Sequence, residues 1–461
     1  MFVTWKIVLP EKVKHLAHIF WKAGAQIYVV GGAVRDLKLG RKVKDWDFTT
    51  NLTPEKIQDL FPKNSFYNNK FGTVTIVSRK KEFLEVTTFR KEGAYSDRRH
   101  PDKVSWGKSI EDDLSRRDFT INAMALSLKT EKGAWKTQLI DPFQGEADLK
   151  DRLIRAVGEA DKRFGEDALR MMRAVRIASQ IGFFIEEKTY ASMLKNAGLL
   201  DEIAQERIRD EFFKILQSKW RKDGMSMLYS SGLLERFLPE LARTFGVTQA
   251  KHHIYDVWTH SMNALAVCQS MDPIVLLATL IHDIGKPMTA KGEGEERTFH
   301  NHEMASAGMA RRLGRDFRLS RKEADKLYRL VRWHQFTCDE EQTDKAIRRF
   351  VRHVSPEYVD EMIELRRSDR LGSGSRESSW RFDLFKKRIV EVQKQPFTVR
   401  DLKINGHELM SLLKVGPGPV LGKILNSLFK EIEEGKGKNQ KSWLKTRAKE
   451  LFKEIGKNKK R

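Results

Sequence analysis

The chain has 461 residues, more than a single hydrophobic core usually serves, so two to four domains are expected. Its net charge of +23 and its pI near 9.8 favour a polyanionic partner, although solubility alone would also be helped by such a charge. The chain has only two cysteines, Cys268 and Cys338, which excludes a disulfide framework. It has no apolar run of roughly 20 residues, which excludes a membrane span. We therefore expect a cytoplasmic protein without a membrane partner.

A short buried strand is predicted at Ile27–Val30, after an amphipathic N-terminal helix. Gly31 and Gly32 end this strand immediately before a predicted helix at Ala33–Leu39. The free N–H groups of a helix start, with the guanidinium of Arg35 one turn further on, form a suitable site for phosphate.

Two carboxylates follow in the run Asp45-Trp46-Asp47-Phe48, for which an extended conformation is predicted. A strand has a period of two, so Asp45 and Asp47 are expected on one face and Trp46 and Phe48 on the other. The two carboxylates repel each other unless a cation lies between them. Oxygen ligands beside a phosphate site suit Mg²⁺, which binds proteins through one or two carboxylates together with substrate phosphates.

Two further strands are predicted at Thr73–Ser78 and Phe83–Phe89. In the second, Glu85 lies between two apolar residues, so alternation turns it away from the apolar face. There it would either join the two aspartates or be an ordinary exposed strand residue. The polar segment Lys91–Val104, which contains glycine and proline, is predicted to be a loop.

The segment Glu111–Ala123 is predicted to bring four polar side chains together at the start of a helix, and these are Arg116, Arg117, Asp118 and Asn122. Beyond residue 165 the pattern becomes helical.

A helix is predicted to contain Glu166–Arg176. Asp167 and Arg170 are three residues apart, which makes them neighbours on one helix face, and Arg173 and Arg176 continue the spacing as a cationic stripe. Without further context, an Asp–Arg pair at this spacing would be a surface ion pair. A second helix, Glu206–Leu216, is predicted to support this region structurally.

An Asp–Arg pair is also complementary to the Watson–Crick edges of cytosine and adenine. Both bases present an amino donor beside an unprotonated ring nitrogen, whereas uracil and guanine present a carbonyl beside an N–H. A carboxylate accepts from the amino group and a guanidinium donates to the ring nitrogen, so a mismatched base leaves buried polar groups unpaired.

Seven of the twelve histidines lie between residues 252 and 334, and His282-Asp283 ends a predicted buried helix. Together with His260, His302 and Asp369 this pattern resembles an HD domain. The resemblance implies that a divalent ion such as Mg²⁺, Mn²⁺ or Ni²⁺ is bound by His260, His282, Asp283 and Asp369. Imidazole and carboxylate ligands suit such ions, and a metal-bound hydroxide hydrolyses phosphoesters.

The C-terminal region is predicted to be a basic helix that suits the phosphate backbone of RNA. Its basic residues are Lys436, Lys438, Lys441, Lys445, Arg447, Lys449, Lys453, Lys457, Lys459, Lys460 and Arg461. For the last five residues a frayed solubilising end is the preferred interpretation.

The order of these motifs resembles class II tRNA nucleotidyltransferases and bacterial poly(A) polymerases. The matching stretches are Gly-Gly-Ala-Val-Arg-Asp at 31–36, Asp-Trp-Asp at 45–47, Arg-Arg-Asp-Phe-Thr-Ile-Asn-Ala at 116–123 and Glu-Asp-Ala-Leu-Arg at 166–170. The resemblance implies an α+β fold class, with a polymerase β-like α/β head containing a mixed sheet, followed by an all-α neck, an HD domain and a helical tail. The implied boundaries are 1–150, 151–245, 246–375 and 376–461.

Roles for individual residues follow from the same resemblance. Asp45 and Asp47, with Glu85 beside them, would be catalytic and would bind Mg²⁺. The residues implied to bind the nucleotide are Gly31, Gly32, Arg35, Arg117, Asp118, Asn122, Asp167, Arg170, Arg173 and Arg176. Within this set, Asp167 and Arg170 would read the base.

The implied reaction is a two-metal transfer in which an RNA 3′-hydroxyl attacks the α-phosphate of CTP or ATP and completes the CCA end of tRNA. The implied partners are the tRNA 3′ end, CTP and ATP, with no obligate protein partner. A relative that adds only A, only CC, or a poly(A) tail stays open, although the full-length Lys91–Val104 segment argues against a CC-only enzyme. An alternative of another class is an HD phosphohydrolase that uses the head as an RNA-binding platform.

Overall fold

The computed structural model describes residues 9–67, 72–78, 81–93, 104–107, 109–131, 134–249, 254–393, 399–434 and 436–458. The chain divides into two compact units, Met1–Arg243 and Thr244–Arg461. The boundaries predicted near residues 150 and 375 fall inside these units and stay predictions.

The N-terminal unit contains the predicted mixed sheet. The strands are β1 Ile27–Val30, β2 Asp47–Thr50, β3 Ser65–Tyr67, β4 Thr73–Val77, β5 Phe83–Thr88, β6 Arg90–Glu92, β7 Val104–Trp106, β8 Ala125–Glu131, β9 Ala134–Ile140, β10 Leu153–Ile154 and β11 Phe184–Ile185. Seven of them form one sheet in the order β3-β4-β5-β2-β1-β8-β9, in which only β2 and β5 pair in parallel. The pairs β6–β7 and β10–β11 form separate two-stranded ribbons.

Twelve helices belong to the described part of this unit. They are α1 Glu11–Lys22, α2 Gly32–Lys38, α3 Pro54–Leu60, α4 Ile110–Ser115, α5 Gly145–Asp151, α6 Ala160–Glu166, α7 Leu169–Ile181, α8 Glu187–Asn196, α9 Gln205–Leu216, α10 Arg221–Ser230, α11 Leu233–Phe237 and α12 Pro239–Ala242. Strand β1 is buried along its whole length because it lies between β2 and β8, with α1 and α2 packed against it. The Gly-Gly turn at its end is therefore fixed at the edge of a rigid layer.

Three local predictions are corrected by the structure. The strand predicted to carry both aspartates begins only at Asp47, so the period-two argument does not place Asp45. The Arg116–Asn122 segment does not begin a helix, since α4 ends at Ser115 and a 3₁₀ turn follows at Thr120–Asn122. The ends of the predicted loop Lys91–Val104 pair as the ribbon β6–β7, while residues 94–103 lie outside the described part of the chain.

The described part of the C-terminal unit is helical, apart from an isolated bridge between Lys291 and Thr298. Its helices are α13 Val257–Val267, α14 Pro273–Ile281, α15 Lys286–Thr289, α16 His302–Asp316, α17 Arg321–Trp333, α18 Asp344–Val354, α19 Val359–Gly372, α20 Trp380–Gln393, α21 Gly406–Leu413, α22 Pro419–Glu433 and α23 Lys441–Asn458. Several of these helices begin at a residue whose side chain accepts a hydrogen bond from a free backbone N–H of the first turn, as at Asp256, Asp272 and Ser320.

Helix α14 is apolar and buried along its length, and it ends directly at His282-Asp283, as predicted. Helices α21, α22 and α23 share a hydrophobic cluster that runs from Leu402 to Leu451. Among the described helices of the whole chain, none is both long enough and apolar enough to cross a membrane.

Phe48 is the buried residue next to Asp47, and it is 1% exposed. We expect Phe48→Ala to lower the free energy of unfolding by about 3–5 kcal/mol, because a large cavity would open behind the strand that carries Asp47. Phe83→Ala is the control, since Phe83 is 68% exposed and its loss should change stability by less than about 0.5 kcal/mol. Urea denaturation of the two variants measures both effects, and equal losses would contradict this view of the core.

Candidate active site and metal centre

Gly31 is the point at which the predicted phosphate site and the predicted carboxylates meet. Its φ of +69° lies in the left-handed region that favours glycine. A Cβ atom at this position would lie 2.9 Å from Nη1 of Arg117 and 3.9 Å from Oδ2 of Asp47. A side chain here would therefore collide with the guanidinium, and only glycine leaves this space open.

Two of the three predicted catalytic carboxylates lie side by side in the sheet, and the third, Asp45, precedes β2 and acts electrostatically on both. Asp47 and Glu85 are register partners on the parallel strands β2 and β5, so their side chains share a face, while Trp46 and Phe48 are buried on the other side. Partial desolvation raises the pKa of Asp47, with Asp45 adding to the shift and Arg117 opposing it. Desolvation and the charges of Asp47 and Asp45 likewise raise the pKa of Glu85. This mutual repulsion is what a divalent cation would relieve.

Two predicted phosphate ligands, Arg35 and Arg117, are held by neighbouring polar groups. Arg35 donates from Nη1 to Oδ1 of Asn122 at 3.0 Å and pairs with Asp36. Arg117 donates from Nη2 to Oδ2 of the fully buried Asp113 at 3.1 Å. The Nε of Arg117 is buried and has no hydrogen-bond partner among the described residues. Arg117 therefore keeps donor capacity beside Gly31.

Asp118 is buried and holds Arg173. Its Oδ2 accepts from Nε and Nη2 of Arg173 at 2.8 and 2.5 Å, and its Oδ1 accepts from the backbone of Phe119 and from Nδ2 of Asn122. Burial alone would raise the pKa of Asp118, but Arg173 and Arg170 outweigh it and hold the pKa well below its usual range. Both oxygens are therefore already engaged within the protein, and a contact of Asp118 or Asn122 with ribose stays a prediction.

The structure corrects the placement of Asp167. This residue lies between α6 and α7 in an extended conformation, with φ −151° and ψ 105°, so it does not share a helix face with Arg170. Its Oδ1 accepts from the backbone N–H of Leu169 at 3.1 Å. The partner of Arg170 is Glu166, at 2.9 Å. The predicted i, i+3 pairing of Asp167 with Arg170 is wrong because the helix breaks at Asp167.

Helix α7 carries the remaining cations of the predicted stripe. Arg176 pairs with Glu211 of α9 at 2.5 Å, with both side chains largely buried. Burial lowers the pKa of Arg176, and the nearby charges of Arg173 and Arg35 add to that shift while Glu211 opposes it. Arg35, Arg173 and Arg176 thus lie near one another in one cationic cluster, in which each guanidinium is paired with a carboxylate.

In the C-terminal unit, six metal-ligand-type side chains converge from five helices. They are His260 of α13, His282 and Asp283 after α14, His302 of α16, His334 after α17 and Asp369 of α19. The candidate ligand atoms of His260, His282 and Asp283 lie within 4.8 Å of one another, and so do those of Asp283, His302 and His334. Asp369 lies 3.2 Å from Nε2 of His260, so the structure brings all four predicted ligands together. His252 and His253 lie outside the described residues.

The orientation of the imidazoles fits a metal centre. The Nδ1 atoms of His282, His302 and His334 lie 2.8–2.9 Å from backbone carbonyls three residues earlier in the chain. These contacts leave each Nε2 directed at the carboxylates, which is the usual arrangement of metal-bound histidines. Gly285 allows the close approach, since a Cβ there would lie 2.6 Å from the carbonyl oxygen of His302.

Asp283 is the centre of this cluster. Its Oδ2 lies 3.5 and 3.3 Å from Nε2 of His260 and His282, and its Oδ1 lies 3.1 and 3.6 Å from Nε2 of His302 and His334. Each oxygen therefore faces a different pair of imidazoles. Lys286 and His282 overcome the effect of burial and hold the pKa of Asp283 well below its usual range, so the carboxylate stays in the ligand form.

His282 and His334 differ in protonation. Against the effect of burial, Asp283 and Asp369 raise the pKa of His282 to about 10, whereas burial lowers the pKa of His334. A divalent ion bound here would take the place of the His282 proton. Metal affinity should therefore rise with pH.

Three family models match the chain in sequence order. The poly A polymerase head domain matches residues 27–155, the probable RNA and SrmB-binding site of polymerase A matches 182–245, and the HD domain matches 257–369. The solved structure of the Bacillus stearothermophilus CCA-adding enzyme in complex with CTP has a TM-score of 0.68 and 26% identity, covering 98% of this chain and 100% of that one. In the order of its domains and in its fold, the chain is therefore similar to poly A polymerases and to CCA-adding enzymes.

Two curated relatives are similar to the chain over part of their length. The CCA-adding enzyme of Latilactobacillus sakei is 47% identical over 220 residues, covering 48% of this chain and 53% of that protein. The CCA-adding enzyme of Geobacillus kaustophilus is 45% identical over 219 residues, covering 48% and 52%. The chain therefore spans about half the length of these curated relatives.

Sequence reasoning missed several residues of this candidate site. Asp113 holds Arg116 and Arg117, and its spacing of three and four residues from them was an available signal. Glu166 was likewise available four residues before Arg170. The pairing of Asp167 with Arg207 joins residues forty apart in the chain, which helical spacing does not predict. In the HD domain, His302 and His334 were recognised as histidines of the cluster but were left out of the ligand set.

Asp118→Asn is expected to lower the free energy of unfolding by about 2 kcal/mol at neutral pH, because a charged hydrogen-bonded pair with Arg173 is lost. The pKa of Asp118 is lowered on folding from its usual value of 3.8, so its stabilising effect is complete above that value and is lost progressively as the pH falls from there toward the lowered pKa of the folded state. The difference between wild type and variant should therefore shrink below about pH 4.

Asp201→Asn provides the control, since Asp201 forms an exposed pair with Arg236 and its loss should cost less than about 1 kcal/mol. Chemical denaturation across pH measures both variants. A difference for Asp118→Asn that stays constant down to pH 2.5 would contradict the assigned ion pair.

Proposed function

We propose that this protein is a template-independent tRNA nucleotidyltransferase that adds CCA, from CTP and ATP, to the tRNA 3′ end. The observation that carries the proposal is the meeting of the Asp47 carboxylate and the Arg117 guanidinium at Gly31. The likeness to a CCA-adding enzyme solved with CTP supports it along nearly the whole chain. The tRNA 3′ end, CTP and ATP are the partners in this proposal.

Asp45 and Asp47, with Glu85 beside them, would hold Mg²⁺. Their oxygen donors, and the raised pKa values of the Asp47 and Glu85 carboxyls, fit a hard divalent cation. Bound Mg²⁺ would activate the RNA 3′-hydroxyl and stabilise the leaving pyrophosphate. The protein's own task is to hold Asp47 on β2 beside Glu85 on β5, with Asp45 just before β2.

The triphosphate would lie against Gly31 and Gly32, with Arg35 and Arg117 as its cationic partners. The unpartnered buried Nε of Arg117 supports this assignment, because a buried donor without an acceptor is costly unless a ligand supplies one. Arg173 and Arg176 are already engaged with Asp118 and Glu211. Their contribution would be to fix the geometry around the nucleotide.

Asp167 and Arg170 would select the base. The carboxylate would accept from the amino group of cytosine or adenine, and the guanidinium would donate to the adjacent ring nitrogen. Arg170 is anchored by Glu166 through Nη1, while its Nη2 makes only a long contact of 3.5 Å with the carbonyl of Arg116. That second nitrogen is the one suited to the base.

The predicted tRNA-binding tail is the helical region after residue 375. Its helix α23 is basic, but Arg447 is committed to Glu431, Glu450 and Glu454 and therefore joins α22 to α23. The lysines are the better candidates for RNA phosphates. Lys459, Lys460 and Arg461 lie outside the described residues.

We further assign the head to 1–150, the neck to 151–245 and the HD domain to 246–375. We also place the enzyme in the cytoplasm, with which the free cysteines Cys268 and Cys338 are compatible.

A second candidate function is phosphoester hydrolysis at the HD domain. The two oxygens of Asp283 face separate imidazole pairs, which suits one ion on His260, His282 and Asp369 and another on His302 and His334. Mg²⁺, Mn²⁺ and Ni²⁺ are all compatible with these donors.

The polymerase proposal is tested with tRNA lacking its last three nucleotides, Mg²⁺ and each labelled NTP. Wild type should incorporate C and then A, whereas Asp47→Ala should lose at least about 10³-fold in rate because a catalytic metal ligand is removed. The control is Glu82→Ala, which removes an exposed carboxylate that precedes β5 and pairs with Lys12. This variant should retain wild-type activity.

The outcome also decides among the alternatives. Addition of A without C would select an A-adding enzyme or poly(A) polymerase, and addition of C alone would select a CC-adding enzyme. No incorporation of either nucleotide would end the polymerase interpretation and favour the phosphohydrolase with an RNA-binding head.

For the HD domain, His282→Ala should bind at least one Mn²⁺ fewer per chain than wild type, measured by elemental analysis after gel filtration. It should also stop phosphate release from 2′,3′-cyclic nucleotides, if wild type shows that activity. His353→Ala, an exposed histidine of α18, is the matched control and should bind metal normally. If His282→Ala binds as much metal as wild type, the proposed metal centre is wrong.

A further inference from the structure

Helix α9 presents two charged side chains to the nucleotide-selecting region of the N-terminal unit. Arg207 and Glu211 are four residues apart, hence neighbours on one face of α9, which packs against α7. Arg207 donates from Nη2 to Oδ2 of Asp167 at 2.8 Å, and Glu211 pairs with Arg176. One helix thus contacts both a proposed base reader and a member of the cationic cluster.

Asp167 depends on such a partner because no helix holds it. Its backbone is extended at the break between α6 and α7, and the Leu169 N–H engages only Oδ1. The contact with Arg207 engages Oδ2, and the side chains of Arg207 and Asp167 are only 24% and 16% exposed. These two contacts together set the plane of the carboxylate.

The contacts leave the carboxylate able to bind a base. An ionised carboxylate has about four acceptor positions, and the two donors occupy one on each oxygen. An amino group of cytosine or adenine would find a free lone pair in a fixed direction, while a carbonyl of uracil would find no donor there. A carboxylate free to rotate would lose part of this selectivity, because selectivity of this kind rests on fixed, otherwise unpaired polar groups.

We propose that Arg207 is a positioning residue for base selection, holding the carboxylate of Asp167 in the orientation that accepts an amino group. This inference rests on the proposed function and assigns no contact between Arg207 and the nucleotide. It changes the role of the Glu206–Leu216 helix from structural support to a determinant of specificity.

The test compares Arg207→Ala and Arg207→Lys with wild type in single-nucleotide addition of CTP, ATP and UTP. Arg207→Ala should reduce the ratio of kcat/KM for CTP over UTP by about 10–100-fold, mostly through a higher KM for CTP. Arg207→Lys keeps a single donor and should recover part of the ratio. Arg236→Ala removes another Arg–Asp pair of the same unit, with Asp201, and should leave the ratio unchanged.

A double-mutant comparison separates positioning from a general loss of structure. If Arg207 acts through Asp167, then Arg207→Ala should cause no further loss of discrimination in an Asp167→Ala background. Equal loss of activity toward all three nucleotides, with an unchanged CTP to UTP ratio, would overturn the inference while leaving CCA addition intact.

Nucleotide binding provides a measurement that does not depend on turnover. Titration calorimetry of wild type with CTP and UTP should show preference for CTP, and Arg207→Ala should reduce it. If wild type adds neither C nor A, the proposed function fails, and this binding preference still decides the inference. Equal affinity of wild type for CTP and UTP, or a preference unaltered in Arg207→Ala, would overturn it.

Discussion

Repulsion among the carboxylates of Asp45, Asp47 and Glu85 is the constraint on which the proposed chemistry depends. The parallel pairing of β2 and β5 fixes Asp47 beside Glu85, and the rigid sheet prevents the two side chains from moving apart. Desolvation and this repulsion together raise the pKa values of Asp47 and Glu85, beside Arg117 and the open space at Gly31. A divalent cation would relieve the repulsion, and the phosphate of a substrate would then find the cation and Arg117 side by side.

Around this centre, buried arginine–carboxylate pairs determine the positions of the remaining functional groups. Asp113 orients Arg117, Asp118 orients Arg173, and Glu211 orients Arg176. Paired charges of this kind add little net stability, but removing one partner leaves the other unpaired, so they fix geometry effectively. The HD domain follows a similar logic, since four imidazoles lie near Asp283 and backbone contacts direct three of them, those of His282, His302 and His334, toward it.

The sequence predicted the architecture well and the pairwise contacts poorly. Alternation and glycine placement located β1, β4 and β5 to within a residue, because those signals are local. The break at Asp167 was missed because the surrounding residues are good helix formers, and only the structure shows its extended backbone. The Asp167–Arg207 pair and the convergence of His302 and His334 on Asp283 depend on how helices pack, which periodicity does not encode. The family resemblance identified the candidate site residues, whereas the side chains that hold them in place are visible only in the structure.

A crystal structure of the protein with CTP and Mg²⁺ is the most direct test of this arrangement. We expect the triphosphate against Gly31, Gly32 and Arg117, with the metal on Asp45 and Asp47 and the cytosine amino group facing Asp167. A triphosphate bound far from these aspartates, or a base turned away from Asp167 and Arg170, would contradict it.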